Sequence, residues 1–202
     1  MDPQPITLAG RHVRLEPLAL SHASELFAAL QIDPSVWQWL PPARPTTLAE
    51  METLIAADLH AQADGVKIAF AQIDQASGRA IGETTYLDIR RHDRGLEIGS
   101  TWIATPWQRT GINTEAKYLL LRHAFEELGA VRVQLKTDQR NRQSQAAIER
   151  LGAVHEGILR KHMIVQDGYL RDTVMYSITE DEWPRIKQRL EAKMAGYAGK
   201  PV

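Results

Sequence analysis

The chain has 202 residues, 44% of them apolar, enough for a substantial core in one large domain or two small ones. A formal net charge of −1 gives no argument for a nucleic acid or an anionic membrane as main partner, and the absence of cysteine excludes disulfides, thiolate zinc sites and a cysteine nucleophile. The opening MDPQPITLAG lacks a charged-then-apolar signal pattern and no apolar run approaches membrane-spanning length, so the expectation is a soluble, cytoplasmic protein.

His12 to Glu16 alternates polar and apolar residues, as a half-buried strand does. Ser21 can cap a helix with Ala23, Leu26, Phe27 and Leu30 on its inner face. Pro34 ends that region. The following Val36 to Pro42 is dense in aromatics and prolines and cannot form a long regular element. It reads either as a helix edge packed on the core or as one side of a substrate cleft. Thr47 and Glu50 make a capping box for a helix reaching about His60. Lys67 to Asp74 is expected as a strand with Ile68, Phe70 and Ile73 apolar, and Gln75 to Gly78 as a hairpin turn. Ala80 to Ile89 is the next strand, in which Gly82 implies a bulge or a close backbone approach.

The chain is organised around Glu97 to Leu128, read as strand, loop and helix. Leu96, Ile98, Trp102 and Ile103 supply the strand, and Thr105 with Pro106 end it. Gln108 to Asn113 form the loop. From Thr114 onward Ala116, Leu119, Leu120, Ala124, Phe125 and Leu128 recur near helical spacing. The first amides of a helix have no partner within it, and the helix dipole adds positive potential there. A loop glycine such as Gly111 lets a ligand approach the backbone, so a phosphate or pyrophosphate fits, with Arg109 beside it. An ordinary connection capped by Asn113 or Thr114 fits the same residues.

After Gly129, Val131, Val133 and Leu135 alternate with polar residues in a strand expected to lie parallel to the Glu97 strand. Ser144 starts a short helix with Ala147, Ile148 and Leu151 inward, stopped by Gly152. Val154 to Val165 and Leu170 to Ser177 are expected as strands around a turn at Gln166 to Gly168. Thr179 and Glu182 make a second capping box for a terminal helix to about Met194, and the last residues, AGYAGKPV, are expected to fray. Arg90, Arg91, His92 and Arg94 read as a solvated hairpin tip. Seven histidines lack metal-ligand spacing, so no metal is expected.

Several of these pieces resemble one family. QRTGIN is similar to the pyrophosphate-binding pattern Gln/Arg-x-x-Gly-x-Gly/Ala of the GNAT acyl-CoA N-acyltransferases, and NRQSQAAIERLGAVHEG to their asparagine-to-helix segment. EIGSTW, NTEAK, IERLGA, EGILRKHM and RDTVMYSITEDEWP are closest to the RimJ/RimL-like branch, which acetylates protein N-termini and related amines. The likeness spans about residues 8–184, within a single domain over 1–202. Asn113 departs from the pattern, which prefers Gly or Ala there.

The resemblance implies an α+β fold. Its mixed, mostly antiparallel sheet would have about seven strands, a V-shaped splay between two parallel strands, and helices on both faces. It implies acetyl-CoA as cosubstrate and an amine as acceptor. Backbone of Trp102, Ile103 and Ala104 would bind pantetheine. Gln108, Arg109, Thr110, Gly111, Ile112, Asn113 and Thr114 would hold the pyrophosphate. Asn141 would bond the cofactor, and Ser144 would be the general acid near the sulfur. Ser144 as a helix cap and Asn141 as a loop residue are the structural alternatives. Glu97 occupies a position where some members keep a base; a structural carboxylate fits equally. Met163 stands at the other base position, next to His162, and Glu83 and Tyr86 are further candidates.

The expected function is N-acetylation of a peptide or protein N-terminus. A small-molecule amine acetyltransferase and a CoA-binding regulatory protein with little turnover are the alternatives. Exposed strands and the terminal helix are compatible with a homodimer.

Overall fold

The computed structural model describes residues 1–197. Eight strands form one sheet in the order β1-β2-β3-β4-β5-β6-β8-β7. The strands are β1 (Leu8–Ala9), β2 (Val13–Pro17), β3 (Ile68–Asp74), β4 (Ala80–Arg90), β5 (Gly95–Ile103), β6 (Arg132–Asp138), β7 (Val154–Ile164) and β8 (Leu170–Thr179). Among the described residues only β5 and β6 are parallel; every other neighbouring pair is antiparallel. The α+β expectation holds, and the strand beyond the expected seven is the two-residue β1.

Among the described residues five helices cover the sheet: α1 (Ala23–Ile32), α2 (Leu48–Ala63), α3 (Ile112–Arg122), α4 (Arg142–Leu151) and α5 (Trp183–Ala195). The apolar faces of α3, α4 and α5 pack in one core with Val13, Phe70, Ile98 and Val133. Those of α1 and α2 pack in a second core with Ala69, Ala71, Ile73 and Trp102. The sheet is thus covered on both faces, which is why β3 is buried along its whole length. Plain alternation along β3 turns Ala69, Ala71 and Ile73 to the α1–α2 core and Ile68 and Phe70 to the other.

The strongest closeness in the sheet is at Gly82. A Cβ there would lie 2.2 Å from the Trp102 carbonyl oxygen. Across that gap the buried Gln72 donates from Nε2 to the carbonyls of Glu83 and Trp102, each at 3.0 Å. The close approach expected at Gly82 is therefore present and cross-linked.

Helix ends depart from expectation in instructive ways. A short 3₁₀ turn, Leu20–His22, precedes α1, so Ser21 does not cap it. Thr47 caps α2 through the Glu50 amide at 3.2 Å, but the Glu50 carboxylate turns back to Thr46 rather than to Thr47. Glu182, not Thr179, occupies the cap of α5, and its carboxylate accepts from the Thr179 amide at 2.9 Å. The fraying expected of the last residues falls, for 198–202, outside the described residues. No helix among the described residues is long and apolar enough to cross a membrane.

Candidate functional site

The parallel pairing of β5 and β6 runs only from Gly95/Arg132 to Glu97/Gln134. Beyond it the two strands continue without pairing, to Ile103 and Asp138. A fork therefore opens immediately after Glu97. A bulge with Ser100 at φ 45° bends β5 at this point.

Past β5 the chain makes a 3₁₀ turn, Thr105–Trp107, and reaches α3 through Gln108 to Gly111. Arg109 adopts φ 60°, a left-handed conformation unusual for a long side chain. The Thr110 hydroxyl donates to the Trp107 carbonyl at 2.7 Å and accepts from the Ile112 amide at 3.3 Å. The amides of Arg109, Thr110, Gly111, Asn113 and Thr114 find no acceptor among the described residues. Gly111 is the helix cap and offers no side chain, so neither Asn113 nor Thr114 caps α3. Both lie inside its first turn. The result is a concave run of free donors at the positive end of a helix, a shape suited to an anion.

This helix is held by a residue the sequence reading passed over. Glu115 is buried and accepts from three successive amides: Arg11 at 2.8 Å, His12 at 2.6 Å and Val13 at 2.9 Å. A carboxylate on the inward side of an otherwise apolar stripe was its only signal. Lys117, one turn into the same helix, is buried against the hydroxyls of Thr84 and Thr101, and burial pulls its pKa down to about 7.

On the β5 side, the expected pantetheine strand is only partly available. The Trp102 carbonyl is taken by Gln72, the Ala104 amide donates to Ile81 at 2.9 Å, and the Ala104 carbonyl accepts from Trp107 at 3.0 Å. Those groups of Trp102 and Ala104 each make a hydrogen bond inside the protein. The Ile103 carbonyl is met by a movable side chain, Gln108 Nε2, at 3.0 Å, and Gln108 Oε1 accepts from Gln143 at 3.2 Å. Gln108 thus spans from β5 to α4.

At the start of α4 the roles of two residues are exchanged. Asn141 caps the helix, its Oδ1 accepting from the Ser144 amide at 3.0 Å. Ser144 lies within the first turn, half-buried, and its hydroxyl makes no hydrogen bond among the described residues. The cap reading offered for Ser144 therefore belongs to Asn141, and the serine hydroxyl is left available.

The base candidates separate by surroundings. Glu97 is 1% exposed at the vertex of the fork, with Lys136 Nζ 3.0 Å and Gln134 Nε2 3.1 Å from Oε2. It is an ion-paired carboxylate. Tyr86 is enclosed, its hydroxyl donating to the Leu120 carbonyl at 2.6 Å, and burial raises its pKa far above the ordinary phenol range. Glu83 is buried beside Asp58 and Lys67; burial first, then the Asp58 charge, raises its pKa, with Lys67 opposing. A bulge between Leu159 and Met163, with Lys161 at φ 49°, interrupts the alternation of β7. His162 there feels Lys136, Arg171 and Glu97. Burial and the two cations lower its pKa, and Glu97 opposes them. Its neutral imidazole is favoured near neutral pH.

The segment Val36 to Pro42 packs on the core and also walls a cleft. Trp37 is buried against Trp102, ring centroids 5.5 Å apart, while Trp39 and Leu40 wall a cleft of about 270 Å³ with Arg140, Gln166, Tyr169 and Arg171. The basic hairpin tip is neutralised locally: Arg91 pairs with Asp2 at 3.1 Å and Arg94 with Glu180 at 3.4 Å. No cluster of three metal-ligating side chains occurs among the described residues.

A sheet whose single parallel pair diverges beside an unfilled helix N-terminus defines an acetyltransferase of the GNAT type. Residues 12–154 match the family model described as Acetyltransferase (GNAT) domain, and the chain belongs to that family. It is similar to a GCN5-related N-acetyltransferase from Brucella melitensis, with 34% identity, a TM-score of 0.90, and coverage of 96% of this chain and 87% of that one. It is 36% identical over 106 residues to the Bacillus subtilis protein named "Putative ribosomal N-acetyltransferase YdaF", covering 52% of this chain. That match spans only 57% of the relative's length. The fold also matches Mycobacterium smegmatis RimJ, solved in complex with CoA-disulfide, at 24% identity and a TM-score of 0.78 over 96% of each chain. The name of the Bacillus subtilis relative is in keeping with the RimJ/RimL-like resemblance.

Proposed function

We propose that the protein transfers an acetyl group from acetyl-CoA to a peptide or protein N-terminal amine, by direct transfer in a ternary complex within a single domain. The observation that carries the reading is the run of unfilled amides between Arg109 and Thr114 at the mouth of the fork. The amides of Arg109, Thr110, Gly111, Asn113 and Thr114 hold the pyrophosphate, with Arg109 adding charge. The side chain of Gln108 and the backbone of Ile103 guide the pantetheine arm. The amide nitrogen of Asn141, which the helix cap leaves free, bonds the cofactor beside Ser144. RimJ, of similar fold, was solved with a CoA derivative, which fits this assignment.

Acetyl-CoA supplies an activated acyl carbon and a thiolate leaving group. His162 takes the proton from the acceptor ammonium, freeing the lone pair that forms the new amide bond. Ser144 donates its proton to the departing sulfur and regains one from solvent. Glu97 acts as a positioning carboxylate: it holds Lys136 and stabilises the His162 imidazolium. Proximity of the two substrates contributes much of the acceleration.

Ser144→Ala is expected to lower kcat about 10- to 100-fold, with CoA affinity within twofold by calorimetry. Equal turnover removes the acid role. The ascending limb of the kcat/KM pH profile should vanish in His162→Gln. It should move to lower pH in Glu97→Gln, because Glu97 is the charge that favours the imidazolium. A limb that survives His162→Gln and vanishes in Glu97→Gln makes Glu97 the base. An amine panel with a thiol-release readout tests the acceptor: small amines alone turned over overturns the peptide reading, and CoA binding without turnover favours a regulatory protein.

A further inference from the structure

Arg171 lies on β8 at 4% exposure, and its Nε is buried without a hydrogen-bond partner. The guanidinium, which carries five donors, forms no ion pair within 4.0 Å among the described residues, and its Nε has no acceptor. A buried charge left in this state is costly unless something pairs with it. Its two near carboxylates are already engaged. Asp138 binds Arg140 through both oxygens at 3.1 Å, and Glu97 binds Lys136 at 3.0 Å. Three cations, Lys136, Arg140 and Arg171, therefore face two carboxylates, leaving one positive charge uncompensated. Two residues along β8, on the same side of the strand, Thr173 Oγ1 is also buried without a partner.

Arg171 lines the cleft beside Trp39, and contacts within the protein cross-link the walls of that cleft. Gln166 Nε2 donates to the carbonyls of Leu40 at 2.6 Å and Pro42 at 2.9 Å, tying the β7–β8 hairpin to the α1–α2 connection. Arg140 is clamped between Tyr169, at 3.5 Å from the ring centroid, and Trp39, at 5.1 Å. The aromatic faces and Asp138 orient it, leaving Nη1 without a partner among the described residues.

The geometry points to a carboxylate-binding subsite in which Arg171, assisted by Arg140 Nη1, grips an acidic group carried by the acceptor a short distance from its amine. A guanidinium fork matches a carboxylate in two parallel hydrogen bonds, which explains an arginine rather than a lysine at a buried position. The inference rests on the acceptor reading above and narrows it: the preferred peptide carries Asp or Glu within its first few residues. A free amino acid offers the same chemistry through its own carboxylate.

The test uses alanine-first octapeptides with Glu, Gln or Lys at positions 2 and 3, with free glutamate as a separate acceptor, on the full chain. We expect kcat/KM for the Glu peptide to exceed that for the Gln peptide at least about tenfold, mainly through KM, with the Lys peptide poorest. Arg171→Met should erase this preference and Arg171→Lys should keep part of it. CoA affinity by calorimetry serves as the control that both variants fold. Should Arg171→Met fail that control, peptide affinity of Arg171→Lys and wild type in the presence of CoA carries the comparison. Equal use of Glu and Gln peptides by wild type, or a preference unchanged in the arginine variants, overturns the subsite. Neutral peptides turned over as well as acidic ones leave the acetyltransferase reading standing while the subsite falls. Free glutamate outperforming every peptide keeps the subsite and overturns the peptide reading.

Discussion

The two sides of the fork are made of different material. Where β5 passes into α3, the groups available to a ligand are the main-chain amides of five residues between 109 and 114, and side chains contribute little. Across the sheet, at the α1–α2 connection, the groups are side chains from separate parts of the chain: Trp39, Arg140, Gln166 and Arg171. Main-chain donors are placed by a strand ending and a helix beginning, so most substitutions leave them where they are. A cleft of side chains is altered by one substitution. On the proposed reading, the arrangement separates a constant requirement, holding one diphosphate, from a selective one, choosing an acceptor.

The comparison breaks most sharply at Gly111. Gly111→Glu places a carboxylate among the free amides, where a Cβ already approaches the Tyr197 ring to 3.2 Å. CoA affinity should fall about a thousandfold or more by calorimetry, whereas no single substitution in the acceptor cleft should change it noticeably. A CoA affinity unchanged in Gly111→Glu would show that the amide run is not the diphosphate site.

Next in size is the anchor of that helix. Glu115→Ala leaves the amides of Arg11, His12 and Val13 unsatisfied. Thermal unfolding should show a loss of about 3 kcal/mol, a Tm lower by roughly 10 °C. CoA binding measured well below the new Tm should weaken as well, because α3 loses its tie to β2.

Lys117 gives a pH signature within the same helix. Its pKa is lowered from the ordinary lysine value to about 7 by burial. Between about pH 10 and about pH 7 the unfolded chain holds a proton that the native lysine does not, so stability falls as pH falls, by up to about 1.4 kcal/mol per unit, and levels off below. Lys117→Met should flatten this dependence, and the stability gap between variant and wild type should widen from pH 10 to pH 7. Parallel stability curves would place the charged lysine at ease in its site.

The smallest effect sharpens the main-chain argument. Arg109→Asn keeps a residue that tolerates the left-handed backbone. CoA affinity should fall only about three- to tenfold, at low salt more than at high salt. A loss as large as that at Gly111 would mean that the guanidinium, not the amide run, does most of the holding.

The β5–loop–α3 stretch was legible because both its signals are local: an apolar period that changes from strand to helix, and a glycine where the backbone must be approached. The capping residues were less legible. Asn141 rather than Ser144 closes the start of α4, since either side chain can cap and only the turn geometry chooses between them. Glu115 and Arg171 were not legible as site residues. Each is a charged residue at an inward position, and the sequence does not say whether such a charge meets amides, as Glu115 does, or meets nothing, as Arg171 does.

From its residue order alone this chain committed to strands, helices, their sequence, and a helix N-terminus able to hold an anion, because those follow from periodicity, caps and glycine within a few residues of one another. Tertiary structure decided where the parallel strands part, which carbonyls of β5 remain free, that Glu97 is spent on Lys136, and that Arg140 and Arg171 meet in one cleft. Those outcomes depend on bulges that shift register and on partners from distant parts of the chain, and neither leaves a mark at the positions concerned.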